Sequence, residues 1–564
     1  MRRLYYIAYP LTALLAFIVY SNTFDVPFVF DDGMYIIGNP EIRALSNLWP
    51  PTGTRWLSYI SFALNFRIGG LDVFGYHLLN TAIHAANAVL VFFIVSRTFA
   101  TPWMKGALQS AGAAFGVAFI SSVIFAVHPL QTQAVTYVTQ RFASLAALFY
   151  LLSLASYIAW RARDKNGALI YALSFVFAVC AQFTKEIAFT LPAIILFYET
   201  AFYDGPYKKR LFRVIPFLFV MLIIPFMVLS AASGEGAGVS SNIMRKQFSE
   251  MTGLSPYSYF VTELRVIVTY LRLLVLPMGQ NIDYSYPVYN SILAPGVLAS
   301  FLFLLSLLVA AVCLFVISRK RSDAHLTLVS AGVFWFFITL SVESSVIPIQ
   351  DVIFEHRLYL PSIGAFAAFS AFAFFLKERL LKGWSNAAFA VVLAVLVALP
   401  LGAAAYVRNE VWRDDAALWK DAIAKSPLKA RTHASLGDVY LRRGLVSEAI
   451  PEFEKAVSFS PDAVALHNLG AAYFAGGLYG DAVMAYRASL EQRPDKAGTR
   501  HNLALSYLKL GMIDEAEREF EEALRFEPDR ANSHYELALI YERKGWADEA
   551  EREFEAARVL KQAE

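Results

Sequence analysis

Residues 466–494 read LHNLGAAYFAGGLYGDAVMAYRASLEQRP. Three other stretches fall into the same register: HASLGDVYLRRGLVSEAIPEFEKAVSFSP at 433–461, RHNLALSYLKLGMIDEAEREFEEALRFEP at 500–528 and HYELALIYERKGWADEAEREFEAARVLKQ at 534–562. Pro427, Pro461, Pro494 and Pro528 mark the period, 33 or 34 residues. Each copy carries a Leu, a small residue, a Tyr and a turn Gly. An Ala then lets two helices approach, and an aromatic ring packs between them. Such a unit cannot bury its apolar face alone, so four copies predict a stack of helix pairs, an α-solenoid. DDAALWKDAIAKSP at 414–427 adds one helix before the stack, with Trp419 at the aromatic place.

Upstream the composition changes. The whole chain of 564 residues is 57% hydrophobic and only 17% charged, a balance that places most of it in lipid. From Leu428 onward there are 18 Lys and Arg against 24 Asp and Glu, a net of −6, which leaves +9 for the part before it. That basic excess lies in short clusters between apolar runs, a sign of membrane topology and not of nucleic-acid binding. Cys180 and Cys313 both fall in apolar runs, as buried thiols would. The start, MRRLYYIAYPLTALLAFIVYSNTF, has no small-residue cleavage site after its apolar core and reads as a retained first span.

A span needs roughly 20 mostly apolar residues, and about eleven stretches qualify. They lie near 4–23, 77–96, 111–127, 143–160, 168–184, 187–203, 212–231, 295–317, 326–344, 358–376 and 385–406. With that count the basic clusters Arg2/Arg3, Arg97/Lys105, Arg161/Arg163/Lys165, Lys208/Lys209/Arg210/Arg213, Arg319/Lys320/Arg321 and Lys377/Arg379/Lys382 all fall on one side. The N-terminus is then cytoplasmic and the repeats are outside. The expected organisation is all-α: a polytopic membrane domain over 1–406, with outer loops at 24–76 and 232–294, and a repeat domain over 407–564, held close to the outer membrane surface. Within the second loop, TELRVIVTYLRLLVLP is interrupted by Arg265 and Arg272 and suits an interfacial or re-entrant helix.

Some cations lie on the wrong side of the charge rule, and three of them stand at span ends. Arg141, Lys185 and Arg357 lie at outer ends of spans, inside HPLQTQAVTYVTQRFASL, FTKEIAF and FEHRLYLPS. A single cation at a span end commonly snorkels to the headgroups. Three converging at one surface would instead suit an anionic ligand such as a lipid phosphate, whose charge grows as its bond breaks. FVFDDGMYIIGNP at 28–40 places Asp31 and Asp32 in the first outer loop. An Asp before a Gly usually makes a turn or caps a helix. The other reading is a general base that takes the proton of an acceptor hydroxyl as it attacks a sugar C1. His128 reads as a hydrogen-bonded structural residue, and no His/Cys cluster has metal spacing.

These strings resemble, in order and along nearly the whole chain, the transmembrane O-mannosyltransferases with tetratricopeptide repeats and their bacterial relatives, within the GT-C class of membrane glycosyltransferases. The match includes FVFDDGMYIIGNP, SFALNFRIGGLDVFGYHLLNTAIHAANAVLVF at 61–92, FAVHPLQTQAVTYVTQRFASLAALFYLLSL at 125–154, FTKEIAFTLPAIILFYE at 183–199, FEHRLYLPSIG at 354–364 and RNEVWRDDAALWKDAIAKSP at 408–427. The resemblance implies a GT-C fold and inverting transfer of one sugar, mannose or a similar hexose, from a polyprenyl-phosphate carrier to a Ser or Thr hydroxyl. It implies Asp31 as base with Asp32 beside it, and Arg141 on the donor phosphate. Lys185, Arg357 and His356 would join Arg141, with Glu186, His128, Gln133 and Glu355 in support. In the family string an acid usually follows the His-Pro, whereas this chain has Gln131 and Gln133; that departure argues for metal-independent chemistry without a cofactor. The repeats would hold the acceptor polypeptide in their groove, in a bacterial inner membrane with the site periplasmic, or in the endoplasmic reticulum with the site luminal. Two rivals remain at this point: a non-catalytic membrane-anchored scaffold, and a glycosyltransferase acting on a glycolipid or envelope glycan. A transporter has no inverted repeat to support it.

Overall fold

The computed structural model describes residues 2–51, 53–107, 110–163, 167–232, 254–345 and 347–563. Asp164 and Lys165, residues 233–253 of the second outer loop, and the side chains of Arg2 and Arg3 lie outside the described residues. Every regular element described is helical, and the chain divides into two compact units. The first holds Met1–Ile282 and Tyr286–Asp414, the second Asp283–Ser285 and Asp415–Glu564.

The first unit contains α1 (Arg2–Val19), α2 (Trp56–Gly69), α3 (Val73–Thr98), α4 (Pro102–Ala107), α5 (Ala111–Val127), α6 (Thr132–Thr136), α7 (Arg141–Arg161), α8 (Ala168–Gln182), α9 (Leu191–Phe202), α10 (Tyr207–Val220), α11 (Ile223–Ala232), α12 (Pro256–Val275), α13 (Pro295–Arg321), α14 (Ala324–Leu340), α15 (Pro361–Leu380) and α16 (Asn386–Glu410). Each of the eleven apolar stretches is helical. Among the described residues, five helices can cross a membrane by length and composition, or six if the bent pair 111–136 is one span, and α1, α8 and α14 are shorter apolar helices. The lipid-facing character is plainest in α13 and α16, which bury only 17% and 11% of their most apolar windows. This corrects the reading of Cys313: it lies on α13 and is exposed, because an apolar run in lipid needs no protein cover.

Close approaches fix the core. A Cβ on Gly332 of α14 would lie 2.2 Å from the Gly364 carbonyl of α15, so only glycines let these two helices touch backbone to backbone. That contact fixes the start of α15, which follows His356 and Arg357. Asn409 Nδ2 donates to the Val19 carbonyl at 3.0 Å and Asn22 Nδ2 to Glu410 Oε1 at 2.7 Å, tying the end of α16 to the end of α1.

In the second unit α17 (Asp415–Lys425) precedes four helix pairs: α18 (Ala430–Arg442) with α19 (Val446–Phe459), α20 (Ala463–Ala475) with α21 (Tyr479–Gln492), α22 (Ala497–Lys509) with α23 (Ile513–Phe526), and α24 (Ala531–Lys544) with α25 (Ala547–Ala563). The turn glycines Gly444, Gly477, Gly511 and Gly545 share φ between +74° and +79°, a left-handed turn that a side chain would strain. Ala449, Ala482, Ala516 and Ala550 are buried, as is Trp419. Asp283 accepts from Arg431 at 2.5 and 2.7 Å and pairs with Lys429 within this unit.

Candidate active site

The loop between α1 and α2 is held by its acids in two different ways. Asp32 is fully buried. Its Oδ2 accepts the Val29 N–H at 3.0 Å while its own N–H donates to the Val29 carbonyl, closing a reciprocal turn. Its Oδ1 accepts both the backbone N–H of Thr139, at 2.7 Å, and the Thr139 hydroxyl. Asp32 precedes the helical turn Gly33–Ile37 but does not cap it with its side chain. Burial pushes its carboxyl up to about 7, with the bonds from Thr139 and Val29 pulling the other way.

Asp31 is half-buried. Its backbone N–H donates to the Tyr137 hydroxyl at 2.9 Å, and the Tyr137 ring lies 5.8 Å from that of Trp412. Trp412 belongs to the RNEVW string, so that string reaches the loop through Tyr137. Phe30, just before, has φ +52°, a left-handed conformation costly for a residue with a side chain. The bonds at Val29, Asp31 and Asp32 hold it there, which fixes the direction in which Asp31 leaves the loop.

A second group gathers at the starts of α9 and α15. Lys185 Nζ stands 2.6 Å from Glu343 Oε1, both side chains under a tenth exposed. Buried Arg357 donates to the carbonyls of Val352 at 2.9 Å and Asp351 at 2.6 Å and lies 4.0 Å from Glu263. Burial pushes the Glu263 carboxyl up to about 7, against the pull of Arg357. His356 sits between these pairs. Its backbone N–H donates to Gln133 Oε1 at 2.8 Å, and its ring stacks on Phe354. Burial, followed by the charges of Lys185, Arg357 and Arg55, holds the imidazole well below its usual value, so it is neutral.

Arg55 was not singled out from the sequence, yet it joins this group. It lies 3.8 Å from Glu186, which also accepts the Thr54 hydroxyl at 2.6 Å, and it packs over Phe142 at 4.9 Å. Its charge reaches both His356 and Tyr35, and Tyr35 also feels Asp31. Arg55 therefore links the acid loop to the cation group. The signal was available: Arg55 breaks the same charge rule as Lys185 and Arg357, in the same outer loop as Asp31.

Arg141 is placed differently. It is wholly buried at the start of α7. Its guanidinium donates to Asn80 Oδ1 at 2.6 Å, Asn65 Oδ1 at 2.7 Å, the Tyr76 carbonyl at 2.9 Å and Ser61, and stacks over Phe62 at 4.6 Å. All these partners are neutral, and they bind α2, α3 and α7 together two residues from Thr139. His128 is structural: its ring accepts the Leu130 N–H and bonds the Leu274 carbonyl. Glu355 accepts from Gln280 Nε2 at 2.8 Å and from the Asn281 N–H at 2.7 Å, holding the chain just before His356.

The strings that build the acid loop and the buried cation group also align with known proteins. A protein O-mannosyl-transferase of Caenorhabditis elegans is 25% identical over 466 residues, 79% of this chain and 62% of that protein. The human protein O-mannosyl-transferase TMTC4 is 25% identical over 482 residues, 77% of this chain and 64% of its own. The chain is similar to the protein O-mannosyl-transferases of the TMTC type. It spans less than two thirds of these two relatives' lengths. The Drosophila melanogaster protein O-mannosyl-transferase Tmtc1 is 34% identical over 197 residues, 31% of this chain and 21% of its own. Two tetratricopeptide repeat family models match, one at residues 461–527 and the other at 401–464 and 501–563. The repeats of this TMTC-like chain are thus tetratricopeptide repeats. Among solved structures, the crystal structure of MamA is 26% identical, covering 26% of this chain and 87% of that one, with a TM-score of 0.25.

Proposed function

We propose that this chain is a membrane glycosyltransferase that moves one mannose, or a similar hexose, from a polyprenyl-phosphate donor to a Ser or Thr hydroxyl of a protein, with inversion, on the outer face of its membrane. The observation that carries the reading is a buried cation group near the neutral His356, Lys185 beside Glu343, Arg357 beside Glu263 and Arg55 beside Glu186. Such a group suits a phosphate that leaves with an added negative charge. Asp31 takes the acceptor proton as the hydroxyl oxygen attacks C1; the C1–O bond to phosphate breaks, and the phosphate monoester carries off the electron pair. The cations stabilise that charge more in the transition state than in the bound donor, which is what accelerates transfer. Asp32 and Arg141 act as positioning residues, one holding the loop to Thr139, the other holding three helices. Metal is not required in this scheme, because the leaving charge is met by side chains of the chain itself.

The similarity to protein O-mannosyl-transferases supports a protein acceptor, and the tetratricopeptide repeats supply a surface for it. The outer face here is the periplasmic side of a bacterial inner membrane or the lumen of the endoplasmic reticulum. Comparison of intact glycoprotein and glycolipid masses from cells with and without the protein tests the reading. A hexose difference on protein supports it. A difference on lipid or glycan only would move the acceptor, and no difference would favour a scaffold.

A further inference from the structure

The end of α9 carries a second cationic group that the transfer reaction does not use. α7 begins at Arg141 and ends at Arg161, and its 21 residues at about 1.5 Å each put Arg161 roughly 30 Å from the start of the helix. There Glu199, fully buried, accepts from Arg161 Nε at 2.5 Å and from the Tyr157 hydroxyl at 2.8 Å, with Arg213 at 3.7 Å. Arg210 donates to the carbonyls of Glu199 at 3.3 Å and Tyr203 at 3.2 Å. Arg319 arrives from α13, donating to the Thr200 carbonyl at 3.4 Å.

Two guanidinium groups, of Arg161 and Arg213, thus meet the buried Glu199 carboxylate, and two more, of Arg210 and Arg319, bond the backbone carbonyls of residues 199, 200 and 203. The exposed Asp204, whose charge reaches Arg319, is the other acid beside them. The group is built as a cradle. The Arg319 guanidinium lies over the Trp103 ring at 4.2 Å and that of Arg161 over Tyr203 at 4.2 Å. Two of its donors are unused: Arg210 Nε and Arg319 Nη1 are buried and meet no acceptor among the described residues. A buried charged N–H without an acceptor costs free energy. Aromatic residues at this level and a surplus of arginine are what a membrane boundary and an anionic headgroup call for.

We propose that Arg161, Arg210, Arg213 and Arg319 bind a phosphate group, that of an anionic lipid headgroup, at the membrane face opposite the donor site. The planar guanidinium forks match phosphate oxygens, and Arg210 Nε and Arg319 Nη1 supply the donors left open.

Native mass spectrometry of the full chain tests this, with micelles containing phosphatidylglycerol or phosphatidylcholine, and separately with inorganic phosphate. Retained phosphatidylglycerol and a saturable rise in Tm are expected, with phosphatidylcholine giving neither. If inorganic phosphate alone gives the same saturable shift, the cradle binds phosphate but its source is a free anion. Arg210→Gln with Arg319→Gln should weaken phosphatidylglycerol binding at least tenfold, while Lys208→Gln with Lys209→Gln, exposed lysines outside the cradle, should not. Should the double arginine variant fail to fold, Arg319→Lys keeps the charge but removes the fork and should still weaken binding at least threefold. Binding by the arginine variants equal to the parent, an equal loss in the lysine variant, or no response to either anion overturns the proposal.

Discussion

The backbone N–H of Thr139 donates to Asp32 Oδ1 at 2.7 Å, and the Thr139 side chain bonds the same oxygen. One of two adjacent acids is therefore consumed in holding the loop between α1 and α2 to the segment before α7. The half-buried Asp31 meets the Tyr137 hydroxyl through both its backbone N–H and its carboxylate, a contact that orients the carboxylate we assign as base. The neighbours divide the work by environment, and separate substitutions should behave differently. Asp31→Asn should cut kcat by about 10²–10⁴-fold, the usual worth of a general base, with Tm unchanged. Asp32→Asn turns one accepting oxygen into a donor that faces N–H groups. It should cost about 1–3 kcal/mol of stability, with a smaller loss of kcat.

Asp32 also predicts a pH dependence of stability. Its folded carboxyl is raised from 3.8 to about 7, so the folded state holds the proton more tightly than the unfolded chain. That contribution is fully present below pH 3.8 and is lost as pH rises through about 7. Thermal unfolding in detergent should show stability declining across this window in the parent and a flatter profile in Asp32→Asn. Parallel profiles would place the titration elsewhere.

Lys185 and Glu343 form a buried pair at 2.6 Å. Removing one member leaves the other charged and unpaired, so Lys185→Met should destabilise by about 3–5 kcal/mol. Adding Glu343→Gln should restore most of that stability. It should not restore transfer, because the donor phosphate has still lost a cation. Recovery of kcat in the double variant would make Lys185 structural alone.

The repeats offer a test apart from the donor site. A Cβ on Gly470 would lie 2.7 Å from the Tyr486 ring. Gly470→Val should overpack the second repeat by about 1–3 kcal/mol. Transfer to a short Ser/Thr peptide should persist, while transfer to a full-length acceptor protein should fall if the repeats bind it.

The periodic parts of this chain were legible because they obey one rule many times over: a prolyl period of 33 or 34 residues, a turn glycine per repeat, and apolar runs separated by basic clusters. The same charge rule exposed Lys185 and Arg357 as exceptions, and both come together at His356. Arg141 broke the rule too, but its partners are amides, a hydroxyl and carbonyls that carry no charge signature in a sequence. Glu263 and Glu343 were missed because each is a lone acid whose meaning comes only from the cation it meets across the fold. The roles of Asp31 and Asp32 could not be separated by neighbouring residues, since the difference is made by Thr139, more than a hundred positions away.

The central claim is that Asp31 takes the acceptor proton. Transfer from synthetic mannosyl-phosphoryl polyprenol to a Ser/Thr peptide by the purified full chain, with Asp31→Asn and Asp32→Asn assayed beside it at matched folding, tests it most directly. The account predicts loss of turnover by about 10²-fold or more in Asp31→Asn, with most activity kept in the folded fraction of Asp32→Asn. Full turnover by Asp31→Asn, or a larger loss in Asp32→Asn, would contradict it.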